Sequence, residues 1–211
     1  MFAVIFEVVP RQELWNEYLD LAKLLRPEIE RIDGFIDNER FESQRTRGRL
    51  LSLSTWRDEK AVIRWRTLAV HHKVQEKGRF EVFEDYRLRV GEFTADSHPL
   101  PGQTLQQQRL DETEIGEAKA VTISELSPPA GDPATPAAGT PGLVDCETYE
   151  SIYNPGKLLL LGSWRDAVSA GACTPPHGAR HRQVRIIREY GMFDRREAPQ
   201  YYPEVRRTSQ R

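Results

Sequence analysis

The chain has 211 residues with 30 Lys and Arg against 32 Asp and Glu, a formal net charge of −2, 38% hydrophobic and 29% charged residues. That balance is ordinary for a soluble globular chain, gives no electrostatic reason to expect nucleic acid or an anionic membrane as partner, and contains no apolar run near the roughly 20 residues that span a bilayer. Two cysteines, Cys146 and Cys173, fall in different elements and match no metal or redox spacing, so the expected location is cytoplasmic.

The first element is "VIFEVVP", Val4 to Pro10, short and β-rich. The preceding residues carry neither a basic n-region nor a small-residue cleavage site, so the start reads as a strand rather than a signal peptide. From Arg11 to Asp33, residues Leu14, Tyr18, Leu21, Leu25, Ile29 and Ile32 recur at steps of three and four, an amphipathic helical stripe. Pro27 is expected to kink or restart that helix and Gly34 to end it. A second helix starts at the N-cap residue Asp58 and runs to Gly78. A strand, "YRLRVGEF", follows from Tyr86 to Phe93.

The chain then repeats itself. "FESQRTRGRLLSLSTWRD", Phe41 to Asp58, returns without a gap as "YESIYNPGKLLLLGSWRD", Tyr149 to Asp166, with nine of 18 positions identical. "VIFEVVP" is echoed by "TISELSP", Thr122 to Pro128, which aligns Glu7 with Glu125. "YRLRVGEF" is set against "IIREYGMF", Ile186 to Phe193, aligning Gly91 with Gly191. The offset thus drifts from 118 to 108 to 100 residues, so ten residues are missing between the first and second strands and eight between the third and fourth. Those gaps hold helices in the first copy. In the second, "PPAGDPATPAAGTPG", Pro128 to Gly142, cannot hold a helix, and the other helix shrinks to about "RDAVSAGA". The first copy reads β-α-β-β-α-β, the ferredoxin-like pattern, and the second keeps the sheet but not the helical cover.

The expected architecture is therefore α+β: two ferredoxin-like repeats whose antiparallel sheets close into an α+β barrel, with helices outside and a cavity between the sheets. The expected domains are a first repeat at 1–95, a linker at 96–118, a degenerate second repeat at 119–194 and a C-terminal arm at 195–211. Within the linker, "QTLQQQRLDETEIGEA" is expected to form a short helix through Leu105 and Leu110.

The stretch "SLSTWRDEKAVIRWRTLAVHHKVQEKGRFEVFEDYRLRVGEF", Ser52 to Phe93, resembles the antibiotic biosynthesis monooxygenase family of the dimeric α+β barrel superfamily. There a W-R-D helix with an internal Trp, a His, a short basic turn and a D-Y-R-hydrophobic-R strand recur in this order. The resemblance covers residues 2–94; over 119–194 the internal repeat carries it. It implies a tandem version of a normally dimeric fold. It also implies that Trp65 stands where cofactor-independent members hold a flat aromatic substrate and haem-degrading members press on the porphyrin. Haem-degrading members place their axial histidine ten residues after that Trp and an Asn in the first strand; here those features are Gln75 and no Asn in "FAVIFEVVP".

On a helical wheel centred on Trp65, Val62, Ala69, His72, Ala61 and Leu68 share the sheet-facing side, whereas His71 lies about 120° away. His72 is therefore expected to face inward, although His71 occupies the place where many members carry their histidine. Either could serve as a general base near neutral pH, and at most one should reach the cavity. The candidate catalytic residues are His72, His71 and Trp65, with the site expected in the first copy, in the cavity between the sheet and the Asp58–Gly78 helix that carries them; no cofactor-binding or metal residues are assigned. His177 and His181 are read as loop residues, since Pro175, Pro176 and Gly178 make a helical metal pair implausible. Tyr86 and Tyr190 face either into or out of the barrel. Trp164 and Arg165 repeat Trp56 and Arg57 and are read as strand-end packing.

The leading function is a monooxygenase-like oxidoreductase that takes a small flat aromatic or polyketide-type substrate and O2 in the barrel cavity without a cofactor. Two alternatives stand beside it: a non-catalytic ligand-binding or stress-response barrel, and a haem-binding member of the superfamily. The second copy's Pro/Gly segment is expected to gate the cavity, and a homodimer would form through the outer helices or the C-terminal arm.

Overall fold

The structure is a computed structural model and describes residues 1–99, 101–102, 105–128 and 133–206. In chain order it comprises β1 (Phe2–Pro10), α1 (Trp15–Glu30), β2 (Phe35–Ser43), β3 (Leu50–Trp56), α2 (Glu59–Thr67), α3 (Ala69–Lys77) and β4 (Phe83–Asp96). The second half contains β5 (Ala120–Leu126), β6 (Leu143–Ser151), β7 (Leu158–Trp164), α4 (Ala167–Gly171) and β8 (Arg180–Gly191). The eight strands close into one antiparallel barrel in the order β1-β3-β2-β6-β7-β5-β8-β4. Each half contributes a ferredoxin-like sheet, and the halves join edge to edge through β2·β6 and β4·β8. Closure leaves no unpaired sheet edge.

The repeated residues make the first of those seams. Ser43 donates to Glu147, and its counterpart 108 residues later, Ser151, donates to Glu39 at 2.5 Å. Arg49 meets Glu147 at 2.8 Å, while Lys157, in Arg49's place, meets Glu39. Gly48 and Gly156 both sit at φ +79°, the left-handed region that lets each hairpin turn before these cations. Three of the nine identities, at 42/150, 43/151 and 48/156, lie at or beside this seam; the other six lie in β3 and β7 and at the start of the helix that follows each.

The fourth strand corrects the expected alignment. Glu7 faces Arg87 across β1·β4, and Glu125 faces Arg180 across β5·β8; Ile5 faces Arg89 as Ile123 faces Arg182. "RLR" at 87–89 therefore corresponds to "RHR" at 180–182, an offset of 93 rather than the 100 that aligning Gly91 with Gly191 implies. Charge pairing sets this register: Arg89 holds Glu7 at 2.8 Å and Arg182 holds Glu125. His181 accordingly lies inside β8, its Nδ1 2.8 Å from Ser124 Oγ, and is not the loop residue expected.

The barrel interior is filled, which corrects the expectation of a cavity between the sheets. Ile5, Phe41, Leu51, Leu53, Ile123, Leu159 and Ile186 interdigitate there with Phe93 and Tyr149. Beside them Glu7 accepts from Arg89, from Arg87 at 2.9 Å and from the Tyr149 hydroxyl at 3.0 Å. Burial alone would push the Glu7 carboxyl up, but the two guanidinium groups outweigh it and leave the pKa below the usual range. A closed eight-stranded barrel is just wide enough for its own side chains.

Other expectations divide. Asp58 caps α2 through Ala61 N at 2.8 Å, and Asp166 caps α4 through Ser169 N at 2.7 Å. Pro27 does not interrupt α1: it lies on the exposed side, where water can meet the carbonyl a proline leaves without a donor. The linker forms no helix over its described residues 105–118, because its backbone N–H groups are taken by carboxylates. Glu92 accepts from Gln108 N at 2.5 Å, and Glu197 accepts from Glu114 N at 2.7 Å. Pro128 and residues 133–142 carry no helix, as expected; residues 129–132 lie outside the described part.

Candidate active site

Strand alternation sends Val4 and Phe6 of β1, Asn38 and Arg40 of β2, Ser52 and Ser54 of β3, and Tyr86, Leu88 and Val90 of β4 to the outer face of the first sheet. The helices α1, α2 and α3 roof that face, with Tyr18, Ala22, Leu25 and Ile29 of α1 turned inward. Between roof and sheet lies a cavity of about 190 Å³. It belongs to the first copy and to the helix side of the sheet.

The roof breaks at one residue. Leu68 has φ −63° and ψ 128°, so the predicted Asp58–Gly78 helix is two helices with an extended residue between them. The Trp65 carbonyl, released from its helical partner, accepts from Leu68 N at 3.2 Å and from His71 Nδ1 at 2.9 Å. The imidazole of His71 stacks on Trp65, ring centroids 3.9 Å apart and 16° from parallel. Both residues line the cavity.

His72 is exposed and does not line it, a correction to the wheel, which assumed 100° per residue straight through Leu68. Its ring instead stacks on Tyr202, with Nδ1 3.1 Å from the hydroxyl. Nothing in "TLAVHH" marks the break, since it contains neither Pro nor Gly.

A carbonyl can only accept, so the contact fixes His71 as the Nδ1–H tautomer and leaves its lone pair at Nε2. Burial lowers the His71 pKa to about 4, opposed by the bond to Trp65, and the ring is neutral at physiological pH. On the opposite wall, Asn38 donates to Ser52 Oγ and to the Leu53 carbonyl, both at 3.0 Å. Tyr86 and Tyr190 both face this cavity. Burial pushes the Tyr190 hydroxyl up to about 12.

The C-terminal arm closes one side. Gln200 donates to the Arg66 carbonyl at 3.3 Å, Arg195 donates to the Tyr86 hydroxyl at 2.7 Å, and Arg79 donates to the Pro203 carbonyl at 3.1 Å. The arm thus packs on its own chain. None of Pro128 and residues 133–142 lines the cavity, where a gating role was expected, whereas Arg195, Pro199, Gln200 and Tyr202 of the arm do.

Sequence reading missed the cavity's arginines. Arg40, Arg66, Arg79, Arg188 and Arg195 all line it, against one carboxylate, Glu59. Polar residues at i, i+2 on an otherwise apolar face (Asn38 with Arg40, Ser52 with Ser54) were the available signal. Arg188 and Arg195 come from the second copy and the arm, which no local pattern connects to Trp65.

A family model described as antibiotic biosynthesis monooxygenase matches residues 1–77. A protein of Pyricularia oryzae, strain 70-15, named jasmonate monooxygenase ABM, is 43% identical over 215 residues, covering 96% of this chain and 99% of its own. The chain belongs to the antibiotic biosynthesis monooxygenase family. It is an oxidoreductase of the monooxygenase type. Two aldoxime dehydratase structures, one in complex with butyraldoxime, share the fold: TM-scores of 0.53 and 0.56, identities of 12% and 10%, over 88% of this chain and 80% and 79% of theirs. No helix among the described residues is long and apolar enough to cross a membrane.

Proposed function

We propose that the cavity under α1–α3 removes a proton from a small enolisable substrate and holds the resulting anion while it reacts with O2, without a bound cofactor. The observation that carries this reading is the His71–Trp65 pair, an imidazole whose tautomer is fixed by a backbone carbonyl and whose ring is fixed by an indole face. A neutral His71 is ready to accept a proton, but with a pKa of about 4 it is a weak base. Proton removal therefore depends on stabilising the anion in place, a task suited to Arg40, Arg79 and Arg195 in the cavity lining. The oxidation balances as CH2 + O2 → C=O + H2O, with the substrate supplying all four electrons.

Side chains support the cofactor-free form. Among the described residues no group of three or more His, Cys, Asp and Glu could hold a metal ion. Gln75, at the position where haem-degrading relatives carry their axial histidine, accepts from the Tyr202 hydroxyl at 3.4 Å. The cavity of about 190 Å³ suits a compact substrate better than a porphyrin. A jasmonate, the substrate class in the relative's name, is a cyclopentanone acid that enolises beside its ketone. A flat phenol would use the Trp65 face that His71 leaves free.

Oxygen uptake by the purified protein, with jasmonate and with a hydroquinone panel, tests the reading. His71→Gln should lower turnover about a hundredfold or more, while His72→Gln should stay within a few-fold of wild type. Full activity in His71→Gln, or activity that tracks a Soret absorbance band, defeats it.

A further inference from the structure

Five arginines around one cavity need partners, and three have them. Arg40 donates to Asn38 at 3.2 Å. Arg79 donates to the Met192 carbonyl at 2.7 Å, and Arg195 to the Gln200 carbonyl at 2.8 Å. The one carboxylate in the lining, Glu59, is held by Arg109 at 2.7 and 2.9 Å from outside the cavity. Arg66 and Arg188 are different. Neither guanidinium donates to any described residue; Arg66 Nε is buried without a partner, as are the Nε atoms of Arg40 and Arg79, but those two donate through Nη. The acidic group that acts on Arg188 from a distance, Asp111, is committed to Arg109 at 2.5 Å.

These two side chains come from opposite walls, Arg66 from α2 in the roof and Arg188 from β8 in the second copy. Both act on the Tyr190 hydroxyl, as does Arg195, whose guanidinium lies 5.4 Å from the Tyr190 ring centroid, and all four residues line the same cavity. A guanidinium half out of water with no acceptor is costly, and a carboxylate is the acceptor whose two oxygens match its fork.

We infer that Arg66 and Arg188 form a carboxylate clamp, so that the substrates of this cavity are small apolar acids. The carboxylate anchors between the two arginines at the Tyr190 end, and the apolar body lies along Leu21, Leu25, Val62 and Leu88 toward Trp65 and His71. The clamp deepens the monooxygenase reading by naming the substrate class, and takes from it only the identity of the cavity. It also gives the second copy a part in the site: β8 supplies an arginine that the first copy lacks. Neither arginine reaches a reacting atom in this arrangement; both position the acid.

The test is binding, measured apart from turnover. Calorimetry with octanoate and methyl octanoate, an unreactive pair differing in one charge, should show wild type preferring the acid. Arg66→Gln and Arg188→Gln should each weaken octanoate by about tenfold to a hundredfold, leave methyl octanoate unchanged and leave the melting temperature of the unliganded protein unchanged or higher, because neither guanidinium holds the fold together and each lacks an acceptor. Arg188→Lys should recover part of the loss. With jasmonate and methyl jasmonate, the same variants should raise KM for the acid and spare kcat. Equal binding of acid and ester by wild type, binding of neither, or equal weakening of both by Arg188→Gln overturns the clamp. Acid preference without oxygen uptake defeats the monooxygenase reading and leaves the clamp standing.

Discussion

The two repeats build the same four strands and cover them differently. In the first, three helices stand off the outer sheet face and enclose a cavity. In the second, the five-residue α4 is the sole helix among the described residues, and it packs Ala170 directly against Ala120 and Trp164. The difference shows which parts of the unit are indispensable to the barrel. A missing strand would open an edge and expose its hydrogen-bonding groups, so both copies keep four. A missing roof exposes only one sheet face, which small residues and a short helix can cover. The roof was retained where it encloses something.

The most severe way to break this comparison is to remove the equivalent tryptophans. Trp56 and Trp164 are 0% and 1% exposed, each with its indole N–H bonded at 2.9 Å, to Ser54 and to Thr122. Replacing either with Ala should cost about 3–5 kcal/mol in denaturant unfolding, in a single transition, because one closed barrel contains both. A loss below about 1 kcal/mol for Trp164→Ala, or two separate transitions, would mean that the second copy is an appendage.

A smaller effect separates the buried histidines of the two copies. Burial lowers the pKa of His71 to about 4 and also lowers that of His181. In the unfolded chain both titrate near pH 6.5. Between pH 6.5 and 4 the unfolded state therefore binds more protons, and stability falls as pH falls through that window. His71 should account for about 2 kcal/mol of the loss. His71→Gln should flatten the stability profile between pH 6.5 and 4, and His181→Gln should flatten it less. An unchanged slope in His71→Gln would show that water reaches the ring and that the roof is open.

The finest contrast lies in the caps. Asp58→Ala and Asp166→Ala remove the same bond at the same place in each copy. Each should cost about 1 kcal/mol. Only Asp58→Ala should also raise KM, since only α2 carries Trp65 and Arg66 into the cavity. Equal effects on KM would place part of the site in the second copy's roof.

Much of this was legible in the linear chain because repetition is a local signal. Nine identities in 18 residues show two copies, and five prolines between Pro128 and Gly142 show that one copy lost a helix. Strand pairing and barrel closure follow from those two facts, since each half-sheet needs a partner and the other copy supplies one. The capping aspartates and the packing role of Trp56 and Trp164 were legible for the same reason. The resemblance over Ser52 to Phe93 brought Trp65 and His71 together as candidates before their contact was visible.

Tertiary structure decided everything that depends on where a side chain points. One extended residue, Leu68, rotated α3 so that His71 rather than His72 meets Trp65, and no propensity in the chain encodes that φ and ψ. The charge pairs Glu7–Arg89 and Glu125–Arg182 set the register of β8 at an offset of 93, where a matching glycine had suggested 100. Side chains packed to completion filled the barrel interior, so the space between sheet and helix expected for the site is the cavity, and among the described residues none lies between the two sheets. Arg66 and Arg188 are 122 positions apart in the chain. Sequence determines which copies exist and which elements they form, because those are set by neighbours along the chain; the site is set by neighbours across the barrel, and only closure brings them together.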